Sequence, residues 1–113
     1  MRVLLEDFEV DSRLRGGPVQ CRFLRLTPAI ATRGSDTLDC FFQVGGEKIV
    51  VAVSHAGVAD FRERTGKSLN DQQLVEIAAH FLKRALEAGE SGSVPLFLDG
   101  ESLMKLAREF GPL

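Results

Sequence analysis

Cysteine is scarce in this chain of 113 residues, which contains only Cys21 and Cys40. That number is far below the density at which small secreted domains are held together by disulfides, so the sequence excludes a disulfide scaffold. The chain also does not open with a basic segment followed by an apolar stretch, as a secretory signal would. We therefore expect a reduced, intracellular protein that resides in the cytoplasm.

Long apolar runs and an excess of charge are missing as well. The longest apolar run is 49–53, whereas a membrane-spanning helix needs about 20 residues. The net charge of −2 and the pI of 5.7 provide no broad positive field for nucleic acid or an anionic membrane. We expect a single soluble domain spanning 1–113, with no membrane partner, that buries about two thirds of its unfolded surface.

The strongest local signal in the chain is the pair Gly45-Gly46, which stands between two apolar runs. Two adjacent glycines suit a two-residue type I′ or II′ turn, so the sequence predicts a β-hairpin in which Phe41 faces Val50. Side chains alternate along a strand, so one face of this hairpin is predicted to be core. Its members are Leu38, Cys40, Phe42, Val44, Ile49, Val51 and Val53. The opposite face is mixed and is expected to be half exposed or covered by something small; it carries Asp39, Phe41, Gln43, Lys48, Val50 and Ala52.

Further strands are predicted on both sides of the hairpin. Residues 2–11 have the composition of a first strand, and 13–18 contain two glycines and a proline, which predict a turn. Near the other end of the chain, 94–98 read as a short strand. Proline lacks a backbone N–H, so Pro95 predicts either that this strand lies at an edge of the sheet or that the proline stands at the beginning of the strand.

The segment that leads into the hairpin shows two different patterns. Residues 19–27 alternate between apolar and polar side chains, as a half-buried strand does. The alternation slips at Leu24, which indicates a bulge or an edge. Residues 28–36 have the composition of a long loop and are predicted to separate this strand from the hairpin.

Three helices follow from capping signals. Ser54 is placed to cap a helix over 55–64 that ends at Gly66. Asn70 and Gln73 have the spacing of a capping box and predict a long helix from residue 71 to Gly89. The last helix is capped by Asp99 and has an apolar side made by Leu103, Leu106, Ala107 and Phe110. The order of elements predicts an α+β fold: an antiparallel sheet of four to five strands with about three helices packed mainly on one face.

Candidate catalytic and metal-binding residues are few. A pairing of Cys40 with His55 would suit a thiolate nucleophile, but Cys40 falls on the predicted core face, where a thiol is an inert filler. Together with Cys21 and His80 these residues lack the close ligand pairs of a zinc motif. The acids of the first strand, Glu6, Asp7, Glu9 and Asp11, are interpreted as a solvated edge rather than a Mg²⁺ site. We expect no cofactor.

Two alternative functions depend on particular residues. One is a nucleic-acid-binding regulator, in which a basic cluster would contact phosphate; the cluster comprises Arg62, Arg64, Lys67, Lys83 and Arg84. The other is a small enzyme with a site near the 28–36 loop and His55. The function that the sequence favours over both is a non-catalytic binding, interaction or regulatory domain with a protein partner.

Self-association is expected from the hairpin. Strand 49–53 is apolar at every position, which is typical of a strand that is covered on both faces. The long and final helices can cover one face, so Phe41, Val50 and Ala52 on the other face predict a two-fold homodimer. The alternative is that the short helix and the 28–36 loop, with Ile30, cover that face within one chain.

Overall fold

A computed structural model describes residues 8–12, 16–30, 36–90 and 95–110 of the chain. The described part contains five strands and three helices, which we number in chain order. They are β1 (Phe8–Ser12), β2 (Gly17–Ile30), β3 (Asp36–Val44), β4 (Glu47–Ser54), α1 (His55–Thr65), α2 (Asp71–Glu87), β5 (Leu96–Leu98) and α3 (Gly100–Phe110).

The strands form one sheet in the order β1-β2-β3-β4-β5. The first four strands pair antiparallel, and β5 pairs parallel to β4 after the crossover through α1 and α2. The predicted α+β fold is therefore confirmed. The acidic β1 lies at one edge, and β5 lies at the other edge directly after Pro95, as its proline predicted.

The hairpin of β3 and β4 has the register that its glycines predicted. Phe41 pairs with Val50 and Phe42 pairs with Ile49. Gly45 has a φ of 60° while Gly46 has no positive φ, which matches the type II′ alternative because that turn needs positive φ only at its first central residue. The turn thus fixes which side chains of both strands point into the core.

The long strand β2 confirms one prediction and corrects another. The slip at Leu24 is a bulge, where the register with β3 shifts between Phe23 and Arg25. The predicted loop over 28–36 is wrong at both of its ends. At the first end β2 continues to Ile30, so that Pro28 pairs with Leu38, and at the second end β3 already begins at Asp36. The reason is that β3 begins at Asp36 and supplies a partner strand, which outweighs the local loop signal. Residues 31–35 of that segment, like 2–7 and 13–15, lie outside the described residues.

The predicted helix caps are confirmed. The Ser54 hydroxyl accepts a hydrogen bond from the backbone N–H of Gly57 at 3.0 Å. At the start of α2, Asn70 Oδ1 accepts from the Gln73 N–H at 2.8 Å, and Gln73 Oε1 accepts from the Asn70 N–H at 3.0 Å. Asp99 caps α3 by accepting from the Ser102 N–H at 2.9 Å. Each helix therefore begins where a side chain satisfies its otherwise unpaired backbone donors.

All three helices pack on the same face of the sheet and form a second layer. Their buried side chains join those of the strands in one core, which includes Phe42, Ile49 and Val51 from the sheet with Phe61, Leu82 and Leu103 from the helices. Because Phe61 of α1 belongs to this core, the short helix does not cover the opposite face. That part of the alternative to a dimer is wrong.

Two features of the helix layer were not expected. The first turns of α1 and α3 approach so closely that a Cβ on Gly57 would lie 2.8 Å from the Cα of Gly100. At the other end of α3, Phe110 is 41% exposed, although its spacing predicted an apolar contact. Its ring stacks on the His80 ring at 3.8 Å instead, because α3 ends beside the outer surface of α2 rather than over the sheet.

Candidate binding surface

The face of the sheet opposite the helices, which we call the open face, carries every second side chain of the strands. The alternation that sends Cys40, Phe42 and Val51 into the core sends their neighbours to this side. Its charged members among the described residues are three acids and three bases: Glu9, Asp11 and Asp39 with Arg22, Arg25 and Lys48. The open face is therefore close to neutral.

The apolar side chains of the open face lie together. Phe41 and Val50 are cross-strand partners, and Ala52 pairs with Phe97 on β5. Phe41 and Val50 are half-buried by their neighbours, whereas Phe97 is 55% exposed. The structure thus brings the three residues predicted for self-association beside a fourth, Phe97. Sequence reasoning missed Phe97, although its place between Leu96 and Leu98 signals a side chain on the opposite face.

Three rows of side chains cross this part of the open face, and register defines each of them. The hairpin row, nearest the turn, contains Arg22, Gln43 and Lys48. The middle row contains Arg25, Phe41 and Val50, and the far row contains Thr27, Asp39, Ala52 and Phe97. Bases occupy the hairpin row, an acid occupies the far row, and the middle row is largely apolar.

Local contacts hold several of these polar side chains. The Arg25 guanidinium lies 4.1 Å from the centre of the Phe41 ring, close enough for the electron-rich ring face to attract the cation. Asp39 Oδ1 accepts a hydrogen bond of 2.7 Å from the Thr37 hydroxyl, which orients the carboxylate. Lys48 is exposed, and across the described ranges it makes no ion pair with Asp39. The open face therefore presents a positive and a negative group on opposite sides of an apolar row.

Both thiols are buried, as predicted, and neither is in a disulfide. Burial raises the pKa of Cys40 to about 12, and the negative charges of Asp39 and Asp71 add to the effect. A thiol with such a pKa is protonated at neutral pH and is a poor nucleophile. The environment of Cys40 is therefore that of a core residue, in which a thiol packs as a small apolar side chain.

His55 lies on the outer surface of α1, in a shallow groove of about 570 Å³. The groove is bounded by Arg62 on the same helix and by Ser68 and Leu69 in the connection to α2. The described residues of the 28–36 segment do not line it. The structure therefore brings His55 beside Arg62 rather than beside the described part of that segment.

The five residues of the predicted basic cluster are spread over several places in the helix layer. Arg62 lines the groove with His55, and Arg64 forms an ion pair with Asp60 at 3.5 Å. Arg84 lines a separate hollow of about 220 Å³ between α2 and α3, together with Lys105.

The two remaining positions of that cluster lie apart from these hollows. Lys67 follows α1, and its backbone N–H donates to the Thr65 hydroxyl at 3.1 Å. Lys83 is exposed on α2. The five basic residues therefore do not lie around one cavity.

His80 lies on α2, and its ring stacks on the Phe110 ring of α3. Burial lowers its pKa, and the positive charge of Lys83 has the same effect. Arg84 forms an ion pair with Glu109 and lies 5.4 Å from the centre of the Phe110 ring. These contacts fasten the end of α3 to α2, so His80 and Arg84 have structural partners here.

The acids of β1 do not converge on a point. Glu9 and Asp11 are exposed on the open face, and Glu9 accepts a hydrogen bond of 3.3 Å from the Gln20 amide; Glu6 and Asp7 lie outside the described residues. Within the described ranges, no three His, Cys, Asp or Glu side chains are grouped closely enough to hold a metal ion. None of the helices in the described part of the chain has the length and apolar character needed to cross a membrane.

Comparison with known proteins adds no relative to this description. No protein-family model matches the chain, and neither a curated protein nor a solved structure matches it.

Proposed function

We propose that this protein is a non-catalytic interaction domain that binds a protein partner through its open face. The observation that carries the proposal is Phe97, which is 55% exposed beside Ala52 and in the same surface as Phe41 and Val50. Contiguous apolar surface rimmed by polar groups is typical of protein–protein contacts, in which aromatic and arginine side chains are enriched. The free, buried thiols fit our proposal of a cytoplasmic location.

The size of the open face supports a protein as the partner. Strands about 4.8 Å apart, with lengths between 3 and 14 residues and residues about 3.3 Å apart, give the five-stranded sheet a flat area of roughly 600 Å². A standard protein–protein interface buries about 800 Å² on each partner, and the corrugated surface of a sheet exceeds its flat area. The open face is therefore large enough for a stable contact.

Charge distinguishes this proposal from the nucleic-acid regulator. A phosphate backbone is bound by an excess of positive charge, whereas the described residues of the open face balance three bases with three acids. The basic residues 62–84 lie on the helix layer, where Arg62 and Arg84 line two separate hollows and the other three line neither of them. Nucleic-acid binding and an enzyme at His55 stay hypotheses that no contact in the described part of the chain favours.

A site-specific cross-linking experiment tests the proposal. A photoreactive benzoylphenylalanine replaces Phe97 in one variant and Phe110 in a matched variant, since both are exposed phenylalanines on opposite layers of the molecule. Each variant is expressed in its own cell, irradiated, recovered and analysed by mass spectrometry. We expect a defined protein adduct from position 97 and none from position 110. Nucleic-acid adducts at position 97, or no adduct there, would overturn the proposal.

A further inference from the structure

The partner of the open face can be inferred from how its charges are arranged along the strands. The hairpin row and the far row lie at equal distances on either side of the middle row, since each is two positions along the strand from Phe41 and Val50. The hairpin row contains the exposed bases Arg22 and Lys48, of which Lys48 lies on the same strand as Val50, and the acid of the far row is Asp39. A second copy placed on a two-fold axis along the middle row exchanges these two rows.

We propose that the open face binds a second copy of this chain, and that Lys48 of each copy inserts into a socket on the other copy. The socket consists of Asp39, Ala52 and Phe97 in the far row. The proposal rests on the proposed function and names the partner of that surface. It fits closed two-fold symmetry, in which the same patch serves both copies.

The shape and chemistry of the socket match a lysine side chain. Its floor is Ala52, the smallest side chain of the row, and the exposed Phe97 ring and the Asp39 carboxylate stand on either side. The apolar stem of a lysine can cover Ala52 and Phe97 while its ammonium group meets Asp39. The hydrogen bond from Thr37 already orients that carboxylate, so the acceptor is arranged before binding.

The middle row supplies the apolar centre of the same interface. On the two-fold axis Phe41 and Val50 face their own counterparts, which removes from water the apolar surface that the helices leave uncovered. The Arg25 guanidinium lies 4.1 Å from the centre of the Phe41 ring, so this charge has a partner within its own chain before the two copies meet. Facing sheets pack about 10 Å apart, a distance that the side chains of both faces fill.

A charge exchange between two variants tests this arrangement. Lys48 and Asp39 are not cross-strand partners within one chain, because Lys48 pairs with Gln43 and Asp39 pairs with Ala52. In a dimer of the Lys48→Glu variant, two negative charges meet at each socket. In a dimer of the Asp39→Lys variant, two positive charges meet at each socket. Each variant alone should dimerise about 100-fold more weakly than the wild type, since each of the two contacts is expected to cost about tenfold.

An equimolar mixture of the two variants should dimerise to within about tenfold of the wild type, because opposite charges then meet at both sockets. Sedimentation velocity or light scattering measures the masses, and circular dichroism verifies that both variants are folded. A wild-type chain that is strictly monomeric at micromolar concentration overturns the inference, whereas the proposed function fails only if the cross-linker at position 97 captures no protein. The proposed contact between Lys48 and Asp39 is wrong if neither charge reversal weakens dimerisation, or if the equimolar mixture does not restore it.

Discussion

The two faces of β4 contrast within a single run of apolar residues. Ile49, Val51 and Val53 point toward the helices and are at most 1% exposed. Val50 and Ala52 point to the open face, where neighbouring strands shield them but no described helix packs over them. Here the helices cover only one face of β4, so a continuous apolar run does not by itself show that one chain covers both faces of a strand.

The difference between the faces is also one of energetics. Fully burying a large apolar side chain stabilises the fold by about 1.5–3 kcal/mol. The face that packs against the helices, which we call the covered face, gains this stabilisation within one chain. The apolar side chains of the open face are only partly removed from water in one copy. We expect substitutions on the covered face to change the free energy of unfolding, and substitutions on the open face to change association.

The largest contrast is expected between the adjacent residues Phe42 and Phe41. Phe42 is fully buried and meets the Phe8 and Phe23 rings edge to face, so Phe42→Ala should cost about 3–5 kcal/mol of unfolding free energy. Phe41→Ala should cost less, because that ring is only partly buried. Denaturant unfolding at one low protein concentration measures both. Equal losses would mean that the open face is part of the core.

The thiol on the covered face sharpens the same contrast chemically. The pKa of Cys40, raised from 9.0 to about 12, lowers its thiolate fraction about a thousandfold at neutral pH, and burial blocks access of the reagent. We expect a thiol reagent to label Cys40 only as fast as the protein unfolds. A cysteine introduced in place of Phe97 on the open face is the accessible control. Rapid labelling of Cys40 in native protein would show that the covered face opens.

The closure of the helix layer over the covered face depends on Gly57. An alanine there would bring its Cβ to 2.8 Å from the backbone of Gly100, so Gly57→Ala should cost about 1–3 kcal/mol as α1 and α3 move apart. Gly17→Ala is the matched control, because a Cβ at that strand position meets nothing within 4 Å. Thermal melts of both variants check this. A Gly57→Ala protein as stable as the control would contradict the close approach.

A smaller effect is expected at the start of α2, which provides much of that layer. Asn70→Ala removes the acceptor for the Gln73 N–H and should cost about 1 kcal/mol. Asn70→Asp keeps an acceptor of the same geometry and should leave the melting temperature nearly unchanged. If Asn70→Ala left the stability unchanged while Asn70→Asp lowered it, Asn70 would not be the N-cap of α2.

Local signals were sufficient where neighbouring residues determine the structure. Gly45 and Gly46 predicted the register of the hairpin, and Asn70 with Gln73 predicted the start of α2, because turns and caps form within a few residues. Other features depend on residues that are distant in sequence. Pro28 pairs with Leu38, and Gly57 lies against Gly100. No local pattern could reveal these long-range contacts.

The candidate surface shows the same limit. The alternation of the hairpin predicted Phe41, Val50 and Ala52 on one face, and the structure places all three on the open face. Phe97 comes from a short strand more than 40 residues later, and its position beside Ala52 depends on the parallel pairing of β5 with β4. The socket around Ala52 is therefore a product of sheet topology.

The most direct test of the account uses the eight phenylalanines of the chain, which has no tyrosine or tryptophan. Incorporation of 4-fluorophenylalanine gives each ring its own fluorine NMR signal, assigned by single Phe→Leu variants, and the protein is then diluted stepwise. We expect the signals of Phe41 and Phe97 to shift with concentration while those of Phe42 and Phe61, on the covered side, stay fixed. Signals that are all independent of concentration, or a shift confined to Phe110, would contradict the claim that the open face binds a second copy.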